Sequence, residues 1–328
     1  MAGVNRAGLP SVFSRRFVEM LVLVMLYVFC YSISDAQTWD THYRRGVKAV
    51  EKQDWDKAAE HFSAALAEAE RIGPARVGYG WTTGRTRNRE DPEGERWIGN
   101  IKYSLGAAYT KKAAVCLGKG CVVESDSLCQ LAIPLFESSS GVASVATGAA
   151  LSNLGLANLK LGRTKEAEPV LRRALSTYEA AVPMDSNAYV PRASIDLADA
   201  YIANRKYWEA EPLLLSVSDN VVRVMPNLPQ VAQPYLHTVL AESQYKLAGL
   251  YSSYLEHLRE SDSLYESALI VYESDTLVAF PPEADSCFLD YESKLRSAGR
   301  IEIAESISLR LQSLRSRRVK TDESEKAE

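Results

Sequence analysis

Leu154-Gly155-Leu156-Ala157 and, ten residues on, Ala167-Glu168-Pro169 are answered 43 residues later by Leu197-Ala198-Asp199-Ala200 and Ala210-Glu211-Pro212. Self-similarity at a fixed period marks a repeat protein. Such units are helix pairs that cannot bury their apolar faces alone, so neighbours stack and the stack offers one long contact surface. The chain is therefore read as all-α.

Outward from this phrase, the small residue of each leading helix recurs at Gly46, Gly106, Gly155, Ala198 and Ala241, and aligning Gly299 on Gly162 places a sixth mark at 292. The steps are 60, 49, 43, 43 and 51 residues, which predicts six helix pairs. Small residues let helices approach closely, while Phe62, Tyr109, Tyr201 and Tyr207 fill the space between them. Two units are long, and they share a phrase: Glu124-Ser125-Asp126-Ser127-Leu128 returns as Glu260-Ser261-Asp262-Ser263-Leu264. Each is expected to carry about two extra helical turns. The carboxylates of Glu124, Asp126, Glu260 and Asp262 fall at predicted helix starts, where they complement the positive end of the dipole. Pro169 and Pro212 fit the first turns of second helices that begin near Glu166 and Glu209.

Residue by residue the pattern resembles the tetratricopeptide repeat, with Tyr43 and Gly46 in the first leading helix and Trp55, Ala58, Phe62, Ala65 and Leu66 in its partner. The Ala-Glu-Pro-Leu wording and the repeat of about 42 residues resemble the longer repeats of kinesin light chains. The resemblance implies a right-handed α-solenoid of about six such pairs, gripping a peptide or folded partner in a concave groove. Aligned on the small residue, Tyr43, Tyr103 and Thr238 share one groove position, Asp199 and Glu242 a second, and Lys111, Lys160 and Lys246 a third. Spaced lysines beside tyrosines suit an extended acidic segment, charge steering it and aromatic area holding it. Val47 stands where the carboxylate-clamp subgroup requires Asn, so that subgroup's ligand is not carried over.

Residues 1–36 have the layout of a secretory signal: Arg6, Arg15 and Arg16, an apolar run from Met20 to Ile33, then Ser34-Asp35-Ala36. Cleavage is expected before Gln37, giving a periplasmic or extracellular chain, with an uncleaved N-terminal membrane anchor as the alternative. Without that segment 35 basic residues face 40 acidic ones, which leaves no electrostatic footprint for nucleic acid. Four cysteines remain, and an even count in an exported chain permits three pairings. Cys116 and Cys121 flank the Leu117-Gly118-Lys119-Gly120 turn and are candidates for a disulfide; buried free thiols are the other reading. Residues 37–314 form the expected solenoid and 315–328 a disordered tail, since the tail lacks apolar periodicity.

The stretch 73–99 breaks the pattern and reads as a long loop between the first two units. It carries Trp81, Arg85, Arg87 and Trp97, a basic and aromatic set able to hold a glycan or an acidic group. Chemistry is harder to find. None of His42, His61, His237 and His257 belongs to a zinc-protease motif, and Gly78 to Gly84 lacks the spacing of a phosphate loop. No catalytic residue, metal or cofactor is expected. The reading is an exported noncatalytic scaffold that binds a protein or peptide partner at a cell envelope; the alternative is a carbohydrate- or peptidoglycan-associated module that uses the 73–99 loop.

Overall fold

The computed structural model describes residues 38–74, 92–141, 143–253, 258–274 and 280–325. Twelve α-helices lie among them, packed in sequential pairs. They are α1 (38–51) with α2 (Trp55–Ile72), α3 (Pro92–Lys119) with α4 (Val122–Ser140), and α5 (Val145–Lys160) with α6 (Thr164–Ala181). Then follow α7 (Tyr189–Ala203) with α8 (Tyr207–Val224), α9 (Gln233–Ser253) with α10 (Leu258–Ser274), and α11 (Pro282–Ser297) with α12 (Ile301–Glu325). All six expected marks fall in leading helices. The chain divides into two compact units, Met1–Lys111 and Lys112–Glu328.

In the first unit, Trp39 is fully buried against Ala65, Ala69 and Ile101, and Trp97 and Tyr43 close the cluster. Gly46 is small for a packing reason: a Cβ there would stand 2.6 Å from the Phe62 ring. In the second unit the same logic recurs at Gly155, where a Cβ would lie 2.3 Å from Leu171. Leu171 belongs to a core that continues through Tyr201, Leu214, Leu236 and Leu250. A further core gathers Tyr245, Tyr265, Tyr272, Phe288 and Tyr291. The Tyr265 and Tyr291 rings stack at 4.0 Å. Fully burying a large apolar side chain contributes about 1.5–3 kcal/mol, so these rows dominate the packing energy.

The long unit at Gly106 is extended at its hairpin tip. α3 runs to Lys119, 13 residues past Gly106, whereas α5 ends at Lys160, five past Gly155. α4 correspondingly begins 12 residues before Pro134, against five for α6 before Pro169. The phrase shared by the two long units proves to be a fastener. Asp126 pairs with Arg163 at 3.3 Å and Asp262 with Arg300 at 2.8 Å, and both arginines end the turn of the following helix pair. These two aspartates therefore tie units together, in place of the dipole role read from their position.

Five turns between paired helices share one cap. The N–H of Asp54, Cys121, Arg163, Lys206 and Arg300 donates to the carbonyl five residues back, on Ala49, Cys116, Asn158, Tyr201 and Leu295, at 2.8–2.9 Å. The residue before each donor has positive φ: Gln53 54°, Gly120 81°, Gly162 74°, Arg205 60° and Gly299 75°. This is the Schellman motif, which places glycine in the left-handed conformation without a Cβ penalty. Arg205 incurs that penalty. Arg205→Gly is expected to raise stability by about 0.5–1 kcal/mol, less than the full strain because glycine also loosens the unfolded chain. Urea unfolding followed by circular dichroism checks this, and a less stable variant would refute the strain argument.

Three sequence expectations change. The segment 73–99 is not loop throughout: Pro92–Gly99 opens α3, where Trp97, Ile98 and Ile101 turn one apolar face onto α1 and α2. The tail from Arg315 continues as helix to Glu325. Arg315 reaches Asp285 at 2.7 Å and Arg317 donates to the Tyr272 carbonyl at 2.6 Å, anchoring a stretch whose sequence shows no apolar stripe. Pro169 and Pro212 sit in the second turn, because α6 and α8 begin at Thr164 and Tyr207. Both prolines are exposed, so their rings face solvent rather than the core. Residues 1–36, and with them the signal reading, lie outside the described residues, as do Trp81, Arg85 and Arg87.

Candidate functional site

The leading helices α5, α7 and α9 stand side by side in the second unit, and their helical period turns every third or fourth residue onto one shared wall. On α7 that wall receives Tyr189, Arg192, Asp196 and Asp199; on α9 it receives Tyr235, Glu242 and Lys246. The charges interlock. Arg192 Nε donates to Asp196 Oδ1 at 2.9 Å and Arg192 Nη1 to Glu242 Oε2 at 2.7 Å. Lys246 Nζ donates to both Asp199 oxygens, at 2.8 and 3.0 Å, and lies 3.7 Å from Glu242. Three carboxylates thus meet two cations.

Burial sets their proton affinities. The Asp196 side chain is 2% exposed, and its carboxyl is pushed up to about 6 by that burial, against the pull of Arg192. Burial opposes the charge on Arg192 and on Lys246 too, yet the facing carboxylates outweigh it and hold both cations more firmly than usual. Three carboxylates against two cations leave the network a formal excess of one negative charge, held in a salt-bridged polar floor.

Two cavities open over this floor, sharing Leu156 and Arg192. One, of about 470 Å³, is walled by Leu117, Gly118, Lys160, Asp199, Lys246 and Glu283 among others. The other, of about 390 Å³, is lined by Ser152, Asn153, Tyr178, Tyr189, Asp196 and Tyr235 among others. Tyr178 and Tyr189 stack at 5.2 Å with planes 6° apart. Burial raises the Tyr178 and Tyr235 hydroxyls above the ordinary phenol range, so both remain donors.

Asp199, Glu242 and Lys246, expected in the groove from the repeat alignment, do come together, and Lys160 stands on the wall of the larger cavity with Nζ 3.2 Å from the Leu117 carbonyl oxygen. The other three lie in the first unit. Tyr43 is half-buried, with its ring 5.5 Å from Phe62 and 6.3 Å from Trp97. Tyr103 is 45% exposed on α3, and Lys111 is exposed on the same helix. Trp97, offered with the loop, is half-buried and packs 5.7 Å from the Trp39 ring against the core cluster. Cys116, Cys121, Cys129 and Cys287 carry free thiols.

Arg192, Asp196, Tyr178, Tyr189 and Tyr235 escaped the sequence reading. The spacing of Arg192, Asp196 and Asp199, at i, i+4 and i+7, was the available signal, since it places all three on one helix face. Among the described residues no group of three or more His, Cys, Asp or Glu is placed to hold a metal ion. No helix among them is long and apolar enough to cross a membrane.

Residues 104–180 match the tetratricopeptide-repeat family profile. The helices packed in sequential pairs are consistent with a tetratricopeptide-repeat α-solenoid, a fold that typically serves as a protein–protein interaction scaffold and is usually noncatalytic. Among solved structures it is similar to a kinesin-light-chain-type protein of Podosopora anserina with nearly identical TPR-like repeats. The identity is 20% over 66% of this chain and 96% of that one, with a TM-score of 0.48. It is similar also to BtubC (BKLC) from P. vanneervenii, at 14% identity over 75% and 93% of the two chains, TM-score 0.44. A third similarity is to a Rap protein complexed with competence and sporulation factor, at 12% identity over 86% and 76%, TM-score 0.40. No curated protein matches the chain.

Proposed function

We propose that this protein is an exported noncatalytic scaffold that holds an extended segment of a protein partner along the leading helices α5, α7 and α9. The observation that carries the reading is the pair of adjoining cavities over the Arg192 network, one rimmed by tyrosines and the other by charged side chains. Aromatic area supplies affinity with little loss of side-chain freedom, and a floor whose charges are all paired offers donors and acceptors to a peptide backbone. Export rests on the layout of residues 1–36 and is tested separately, by N-terminal sequencing of the chain recovered from the exported fraction.

The binding test is a fluorescence titration of the full chain against arrayed extended peptides, comparing acidic, neutral and basic series. Lys160→Glu and Tyr235→Ala change the two rims while leaving every salt-bridge partner of the floor in place. Each is expected to weaken the best ligand about tenfold, the scale of an ordinary interface anchor, with unfolding midpoints unchanged. If both variants bind as the parent does, the groove is not the binding surface. Of the alternative set at 73–99, Trp97 is half-buried against the Trp39 cluster, which leaves less of its ring for a ligand.

A further inference from the structure

The Schellman turn between α3 and α4 has cysteine at both residues that its hydrogen bond joins. Cys121 N–H donates to the Cys116 carbonyl at 2.8 Å, with Gly120 at φ 81° between them. The equivalent residues of another turn show where such side chains go. At the turn after α7 they are Tyr201 and Lys206, and Lys206 Nζ lies over the Tyr201 ring at 5.9 Å. In this motif the two side chains meet on the same side of the turn. The two cysteines also differ in access, Cys116 being buried and Cys121 exposed.

We propose that Cys116 and Cys121 form a reversible dithiol–disulfide site at the tip of the extended α3–α4 hairpin, closed by exchange with a small or protein disulfide. The exposed Cys121 thiolate attacks one sulfur of the disulfide R–S–S–R, forming a mixed disulfide and releasing the first thiolate, RS⁻. Cys116 then loses its proton and attacks Cys121 Sγ. The mixed bond breaks, the second RS⁻ leaves, and two cysteine thiols have been oxidised as one R–S–S–R is reduced to two RSH. The backbone already holds the two residues across one hydrogen bond of 2.8 Å, so little chain freedom is left to lose on closure. Cys129 is the internal control: it is buried on α4, and burial pushes its thiol up to about 12, far from exchange at neutral pH.

The full chain is equilibrated in buffers of graded oxidised to reduced glutathione, quenched with acid, alkylated and mapped by mass spectrometry. The expected result is a hydrogen-pair mass loss with Cys116 and Cys121 both protected from alkylation and linked, while Cys129 remains alkylated. Cys116→Ser and Cys121→Ser each abolish the link, with helicity checked by circular dichroism. A stable glutathione adduct on Cys121 beside an alkylated Cys116, or a Cys121-linked dimer, would overturn the proposal, and the wild-type map decides between these even if a variant fails to fold.

Discussion

Arg192→Met is expected to destabilise the protein by about 3–5 kcal/mol near pH 7.5 and by far less near pH 5. Removing one partner of a buried pair leaves the other charge uncompensated, which is the costly direction. Of the two carboxylates that lose Arg192, Glu242 keeps Lys246 at 3.7 Å, so the charge left behind is Asp196, 2% exposed and without the guanidinium 2.9 Å away. The sign follows from its carboxyl, held at about 6 in the fold against an ordinary 3.8. A carboxyl raised on folding contributes stability that is fully present below pH 3.8 and lost as pH climbs through about 6. Without Arg192 that value rises further, so the loss reaches its full size only above neutral pH, while at pH 5 Asp196 is protonated and neutral. Urea unfolding at the two pH values measures the difference. Equal destabilisation at both would mean that Asp196 is not the group left stranded. Asp196→Asn in the same chain should restore much of the lost stability at pH 7.5.

Gly155→Val is the second large effect, expected at about 3 kcal/mol, the upper range for forcing carbon into a filled core. The new Cβ would sit 2.3 Å from Leu171 Cγ and 2.4 Å from its Cδ2, and Leu171 is itself 1% exposed with no room to retreat. Leu171→Ala alone opens a cavity and costs about 2–5 kcal/mol. The two changes act on one space, so the double variant should be more stable than the sum of the single losses predicts, by at least about 1 kcal/mol. Additive losses in urea unfolding would show that Gly155 is required by the helix backbone rather than by Leu171.

The fold was legible because packing wrote itself into the sequence at single positions. Gly46 and Gly155 are glycines since Phe62 and Leu171 occupy the space of a side chain, and a period in such residues is a period in helix pairs. The groove was half legible. Lys246, Glu242 and Asp199 follow from register within a repeat, but Arg192 and Tyr235 sit near helix starts, where the repeat pattern places no mark. The helical end of the chain was missed for a related reason: Arg315 and Arg317 are secured by Asp285 and the Tyr272 carbonyl, contacts 30 and 45 residues away that leave no local periodicity.

The bonds that join successive helix pairs in the second unit have a short reach along the chain: Asn204 to Glu168 over 36 residues, Arg163 to Asp126 over 37, Lys246 to Asp199 over 47, Arg192 to Glu242 over 50. A ribosome adds that much chain in about 2–10 s. Each pair therefore meets its stabilising neighbour almost as soon as that neighbour is made, and assembly can proceed in the order of synthesis without waiting for the C-terminus.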